Sequence, residues 1–123
     1  MNFEFSEQQL AIQEAVSRIC RNFGDDYWLA RDTDGNFPEE FVRAITEGGW
    51  LGIAMPEEFG GAGLGVGEAL ILAHTIARSG AGMSGASAVH LNLLGPNPIV
   101  VFGTHEQKSR FLPPLIQGLD RAC

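Results

Sequence analysis

Two capping boxes stand near opposite ends of this chain and commit it to helices before anything else is weighed. Ser6 and Gln9 occupy the N-cap and N3 positions of one helix start, and Thr104 and Gln107 those of another. In such a box the hydroxyl accepts from the N3 amide while the Gln side chain accepts from the cap amide, so two orphan donors are satisfied at once. Behind the first box, Ile12, Ala15, Val16, Ile19, Cys20 and Phe23 recur at helical spacing and form one apolar stripe. Phe5 and Leu10 fall on the hydrophobic-staple positions, and Gly24 offers a left-handed stop.

Further along, residues 25–36 read as a polar connection. Pro38 suits the first position of a second helix that turns Phe41, Ala44 and Ile45 inward and stops at Gly48-Gly49. Trp50, Leu51 and Ile53 look like anchors for an irregular loop whose glycines, Gly60 to Gly67, supply sharp turns. A third helix over about 68–78 is apolar round most of its circumference, which belongs in an interior. A fourth, about 83–94, is mostly apolar with Ser84, Ser87, His90 and Asn92 as exceptions. Asn97 and Pro98 suit the N-cap and N1 of a short helix that Gly103 closes, and Pro113-Pro114 is expected to break or kink the last helix. Period-two alternation and internal repeats are absent from the sequence. The expected fold is an all-α, up-and-down-like bundle of about five or six helices, one domain over residues 1–123.

Charge narrows the function classes. The net charge is −7, and nine carboxylates fall within residues 25–58 against Arg31 and Arg43, while the rest of the chain balances. Nucleic-acid binding needs clustered Lys and Arg, so that class is disfavoured. The acidic stretch reads as a solvated face. No apolar run reaches the ~18 residues of a membrane helix, and the first residues lack the basic and apolar regions of a secretory signal. Cys20 and Cys123 make neither a disulfide framework nor a metal motif, which points to a reduced, cytoplasmic protein. Cys20, on the apolar stripe, reads as a small core residue.

Few residues carry the signs of chemistry. Gly80-Ala-Gly-Met-Ser-Gly85 has the letters of a dinucleotide loop but follows a helical run rather than a strand, so a helix-to-helix turn is the better account. The pairs Asp25-Asp26, Glu39-Glu40 and Glu57-Glu58 lie in polar connections or first helical turns and read as structural, not as acid and base. His74, His90 and His105 have no metal-ligand spacing; His105 reads as exposed and His74 as a hydrogen-bonded core histidine. Ser87, His90 and Leu94, at spacings of three and four, share one face of the fourth helix. That face could line a cavity or be an ordinary set of satisfied core groups.

The stretches Ile53-Ala-Met-Pro-Glu-Glu-Phe-Gly-Gly-Ala-Gly-Leu-Gly65 and Arg110-Phe-Leu-Pro-Pro-Leu-Ile-Gln-Gly118 resemble the acyl-CoA dehydrogenase family. So do Phe5-Ser-Glu-Gln-Gln-Leu10, Trp50-Leu-Gly52 and Gly103-Thr-His-Glu-Gln-Lys108, so the resemblance covers nearly all 123 residues. It implies the N-terminal helical part of a three-part enzyme whose β-domain and C-terminal bundle hold FAD between them, usually in a homotetramer. A glutamate from the C-terminal part would remove the substrate's α-proton while a β-hydride passes to the flavin, giving a trans-enoyl-CoA. Electrons would leave through an electron-transferring flavoprotein. The resemblance also implies that Ala86, Ser87, His90 and Leu94 form one wall of an acyl-chain pocket, and it assigns no catalytic residue to this stretch.

Two departures stand out: Thr75 follows His74 where many members show two acids, and His90 is unusual on a pocket wall. With Arg121-Ala-Cys123 falling where the first β-strand would come, the chain reads as a fragment, inactive alone and not expected to retain FAD. Alternatives are an acyl-CoA oxidase or flavin monooxygenase of the same fold, or a free-standing helical interaction module.

Overall fold

The computed structural model describes residue 1 and residues 3–123, and among these there is no strand. The helices are α1 (Glu7–Cys20), α2 (Asp25–Asp34), α3 (Glu39–Glu47), α4 (Val66–Ile76), α5 (Gly82–Leu94), α6 (Asn97–Phe102) and α7 (His105–Ile116). The all-α expectation holds, with one helix more than the sequence suggested.

Both capping boxes form. The Ser6 hydroxyl accepts from the Gln9 amide at 3.2 Å and the Gln9 side chain accepts from the Ser6 amide at 3.0 Å. Thr104 and Gln107 repeat the pattern at 3.2 and 2.9 Å. Ile12, Val16 and Cys20 are buried along α1, while Phe5 and Leu10 remain about half exposed. Gly24 does not end α1 in a left-handed conformation; it is extended and precedes α2, and Gly35, at φ 68°, supplies the left-handed stop for α2 instead.

The polar connection expected at 25–36 is mostly α2. Its local signal is poor because only Trp28 among its residues is buried. Tertiary contacts hold it. The Trp28 ring meets Phe41 edge to face at 5.0 Å, and its indole N–H donates to the Phe23 carbonyl at 3.0 Å. Aromatic pairs in this geometry add about 0.5–1.5 kcal/mol beyond the area they bury. Asp25 and Asp26 in the first turn suit its N-terminus.

Phe41 and Ile45 of α3 are fully buried, as expected, with Pro38 preceding the helix rather than opening it. They join Val16, Leu51, Ile53, Leu72, Ile76 and Val89 in the main core. A second cluster of Met55, Phe59, Leu112 and Ile116 seats α7 on the loop between α3 and α4. Pro113 and Pro114 do not break α7, which runs on to Ile116. The carbonyls they leave without amide partners belong to Ser109 and Arg110, both exposed, so solvent can take the missing bonds. Asn97 lies inside α6 and makes no cap, with Pro96 before it.

Candidate functional site

The turn Gly80–Gly85 is what positions the face singled out above. After α4 the backbone widens into a π-type segment, Ala77–Ala81, then reverses at Gly80 (φ 98°) and Gly82 (φ 54°). No strand precedes it, so the dinucleotide reading of these glycines gives way to a helix-to-helix turn. Gly85 has a packing role: a side chain there would press on Ala81, Ile76 and the Trp28 ring. Gly85 thus lets α5 lie close against the core.

With that side inward, Val89, Asn92 and Leu93 are buried and the opposite side faces out. Ser87 and His90 are exposed, and Ala86 and Leu94 are half-buried. Around them Met83 is 76% and Leu91 42% exposed. Ser87 and His90 therefore face solvent, while Ala86 and Leu94 lie at the edge of that side, Leu94 packed against the main core. No Asp, Glu, Lys or Arg occurs between Gly82 and Leu94. The Ser87 hydroxyl donates back to the Met83 carbonyl, and His90 Nδ1 lies 3.0 Å from the Ser87 carbonyl oxygen. If Nδ1 donates there, the neutral ring keeps Nε2 as an outward acceptor.

An uncharged helix face with large apolar side chains in solvent is the kind of surface that another layer covers. Val66 and Leu70 on α4 add exposed apolar area, at 47% and 53%. His74 follows on that helix and is exposed, not the core histidine expected from the sequence. Apolar composition hid the fact that α4 keeps one side toward solvent. Thr75, its neighbour, is buried, and its hydroxyl donates to the Ile71 carbonyl at 2.7 Å.

Three of the paired carboxylates have partners within the chain. Glu39 pairs with Arg121 at 2.8 Å, Glu40 accepts from the Tyr27 hydroxyl at 2.9 Å, and Glu58 lies 3.5 Å from His105. Among the described residues no cluster of His, Cys, Asp and Glu could hold a metal. Cys20 is buried, and burial pushes its thiol pKa up although Ser79 pulls the other way. A raised pKa suits an inert core thiol rather than a nucleophile. Cys123 is exposed. A flavin needs phosphate donors beside a slot for its ring, and these residues do not fit it. The one loop with suitable letters is a turn, and both polar side chains on the α5 face bond their own helix.

The N-terminal domain model of acyl-CoA dehydrogenases matches residues 6–119. The chain belongs to the acyl-CoA dehydrogenase family. Within it, a probable acyl-CoA dehydrogenase of Bacillus subtilis is 33% identical over 120 residues, covering 96% of this chain and 31% of the relative. An acryloyl-CoA reductase (NADH) of Anaerotignum propionicum is 32% identical, covering 96% of this chain and 29% of that one. A chain from structural work on the electron transferring flavoprotein of Acidaminococcus fermentans superposes with a TM-score of 0.84 at 28% identity. That match covers 98% of this chain and 32% of the other. The chain thus spans about a third of the length of the acyl-CoA dehydrogenase relatives it matches. No helix among the described residues is long and apolar enough to cross a membrane.

Proposed function

We propose that this chain is the N-terminal helical domain of a flavin-dependent acyl-CoA dehydrogenase, and that Ala86, Ser87, His90 and Leu94 contribute a wall of its acyl-chain pocket. The observation that carries this reading is the open, uncharged side of α5 in a chain of this family. An acyl chain would gain from apolar contact with Leu94 and Ala86. The absence of charge removes the desolvation cost that an ionised side chain would impose on such a wall.

In this reading FAD and the base that removes the α-proton come from outside these residues. The domain alone neither retains flavin nor turns over acyl-CoA, and its uncovered faces promote self-association. The complete enzyme would be a cytoplasmic homo-oligomer, a tetramer by family habit, passing electrons to an electron-transferring flavoprotein. The direction of the reaction is a second matter. Two relatives are named as reductases, the acryloyl-CoA reductase above and a 3-(aryl)acrylate reductase of Clostridium sporogenes. This supports a reading in which the same domain serves reduction of an enoyl group.

His90 supplies the test. An imidazole on the wall shortens the cavity, and His90→Ala in the complete enzyme should admit extra carbon. Taking the space as about two methylenes at ~0.8 kcal/mol each, a longer acyl-CoA gains roughly 1.6 kcal/mol, or about tenfold in relative kcat/KM. The measurement is a series of saturated acyl-CoA substrates at equal flavin content. An unchanged chain-length profile in an equally stable variant would remove His90 from the pocket.

A further inference from the structure

The inner side of α5 carries a polar residue that the outward face does not explain. Asn92 is only 8% exposed, and its side chain holds three backbone groups, one in the last turn of α7 and two in the segment after it. Its Nδ2 donates to the Leu115 carbonyl at 3.1 Å and to the Asp120 carbonyl at 2.9 Å. Its Oδ1 accepts from the Ala122 amide at 2.9 Å. The amide can sit only one way round, because a flip would set oxygen against two carbonyls and NH2 against an N–H.

The segment itself is folded back tightly. Gly118, at φ 68°, reverses the chain against Thr46 of α3, and the Leu119 and Asp120 amides both donate to the Pro114 carbonyl, at 2.9 and 3.2 Å. Arg121 reaches Glu39 at 2.8 and 3.0 Å and lies over the Phe37 ring at 3.9 Å. Both side chains of that ion pair are more than half exposed, so it is a weak fastener. The Asn92 bonds are buried or part-buried and three in number, so losing them should cost more than losing that exposed ion pair.

We propose that Asn92 is a positioning residue that fixes the course of the backbone over residues 115–122. The helix carrying Ser87, His90 and Leu94 on one side thereby sets, through its other side, how residues 115–122 lie against the bundle. This goes beyond the acyl-pocket reading, and its test involves no acyl-CoA, so either can fail without the other.

Amide hydrogen exchange read by NMR on this chain tests it, with Ala122 as reporter of the segment and Leu72, in the core of α4, as reporter of the whole fold. In the wild type the Ala122 amide should be protected. Asn92→Leu removes every bond, and Asn92→Asp keeps the acceptor but turns a carboxylate on two carbonyls. Each should raise the ratio of Ala122 to Leu72 exchange by about tenfold to a hundredfold, as expected when two or three hydrogen bonds no longer close a segment. Arg121→Gln should change the ratio by less than about fivefold. An unprotected Ala122 in the wild type would overturn the proposal. So would ratios unchanged in both Asn92 variants, or release of Ala122 by Arg121→Gln alone.

Discussion

The segment between α3 and α4 and the helix α5 invert the usual relation between regularity and burial. Residues 50–64 have only two short 3-10 turns, Trp50–Gly52 and Glu57–Phe59, yet Leu51, Gly52, Ile53, Met55 and Phe59 are buried. α5 is a regular helix of 13 residues, and one of its sides stands open to solvent. The loop tolerates burial because its polar backbone is satisfied from within. The Ala62 amide donates to the Gly52 carbonyl at 2.9 Å, Gly63 to Met55 at 2.8 Å and Leu64 to Ile53 at 3.0 Å. A buried backbone needs partners rather than a repeating pattern. An α-helix has its partners already, so it can present a face outward without backbone penalty. The loop therefore builds the domain, and α5 presents it.

Gly61→Ala is the sharpest way to break that contrast. A Cβ at Gly61 would fall on the Met55 carbonyl, a backbone group that cannot rotate away. The variant should lose about 3 kcal/mol or more, read as a large fall in Tm or failure to fold. Retained stability would mean that the loop is looser than its hydrogen bonds indicate. Gly85→Ala asks whether the inner side of α5 is as tight as the loop. The added methyl meets the Ala81 Cβ, which moves only with its backbone, and Ile76 and Trp28, which can give a little, so about 2–3 kcal/mol should be lost.

Acid offers a milder lever on the loop that leaves α5 alone. Glu68 accepts from the Gly65 amide at 3.0 Å and from Gln9 Nε2 at 3.0 Å, and chiefly the Gln9 bond holds its pKa below the ordinary 4.5. Because the folded pKa is depressed, the stability it lends is present above the unfolded pKa and fades as pH falls through the folded value. Tm should decline less steeply below pH ~4.5 in Glu68→Gln than in the wild type, once both are referred to neutral pH. Matching slopes would leave Glu68 without this role. The smallest stability change is expected on the outer side of α5. Met83→Gln with Leu91→Gln should stay within about 0.5 kcal/mol while reducing self-association in sedimentation. A substantial Tm loss there would show that the face is packed in the isolated chain.

What the sequence revealed depended on how local the cause was. Ser6-Gln9 and Thr104-Gln107 were legible because both partners of each box lie within four residues. The positions of Phe41 and Ile45 followed from helical spacing in the same way. α2 was missed because its stabilising partner, Phe41, comes from another helix. His74 was misplaced because composition tells how apolar a helix is, not which side its neighbours leave bare. Ser87, His90 and Leu94 were grouped by spacing on one side of α5, but spacing does not tell that Ser87 and His90 face solvent while Leu94 packs against the core. Asn92 stood among the polar exceptions of the same helix. Nothing near it in the chain announced partners 23 to 30 residues away.

The bond between Gln9 and Glu68 has a consequence beyond the two caps it joins. Gln9 and Glu68 are each the third residue of their helices, and at the other end Cys20 and Phe23 share a cleft with Thr75 and Ser79. α1 and α4 therefore run the same way, side by side, and their peptide dipoles are aligned rather than opposed. Two partial positive poles of about half a charge each are brought together where the helices begin. The Glu68 carboxylate bridges the two starts through Gln9 and the Gly65 amide, and Glu7 in the first turn of α1 adds a second negative charge. The parallel pairing of the two helices thus gathers acidic side chains at the end where both positive poles lie.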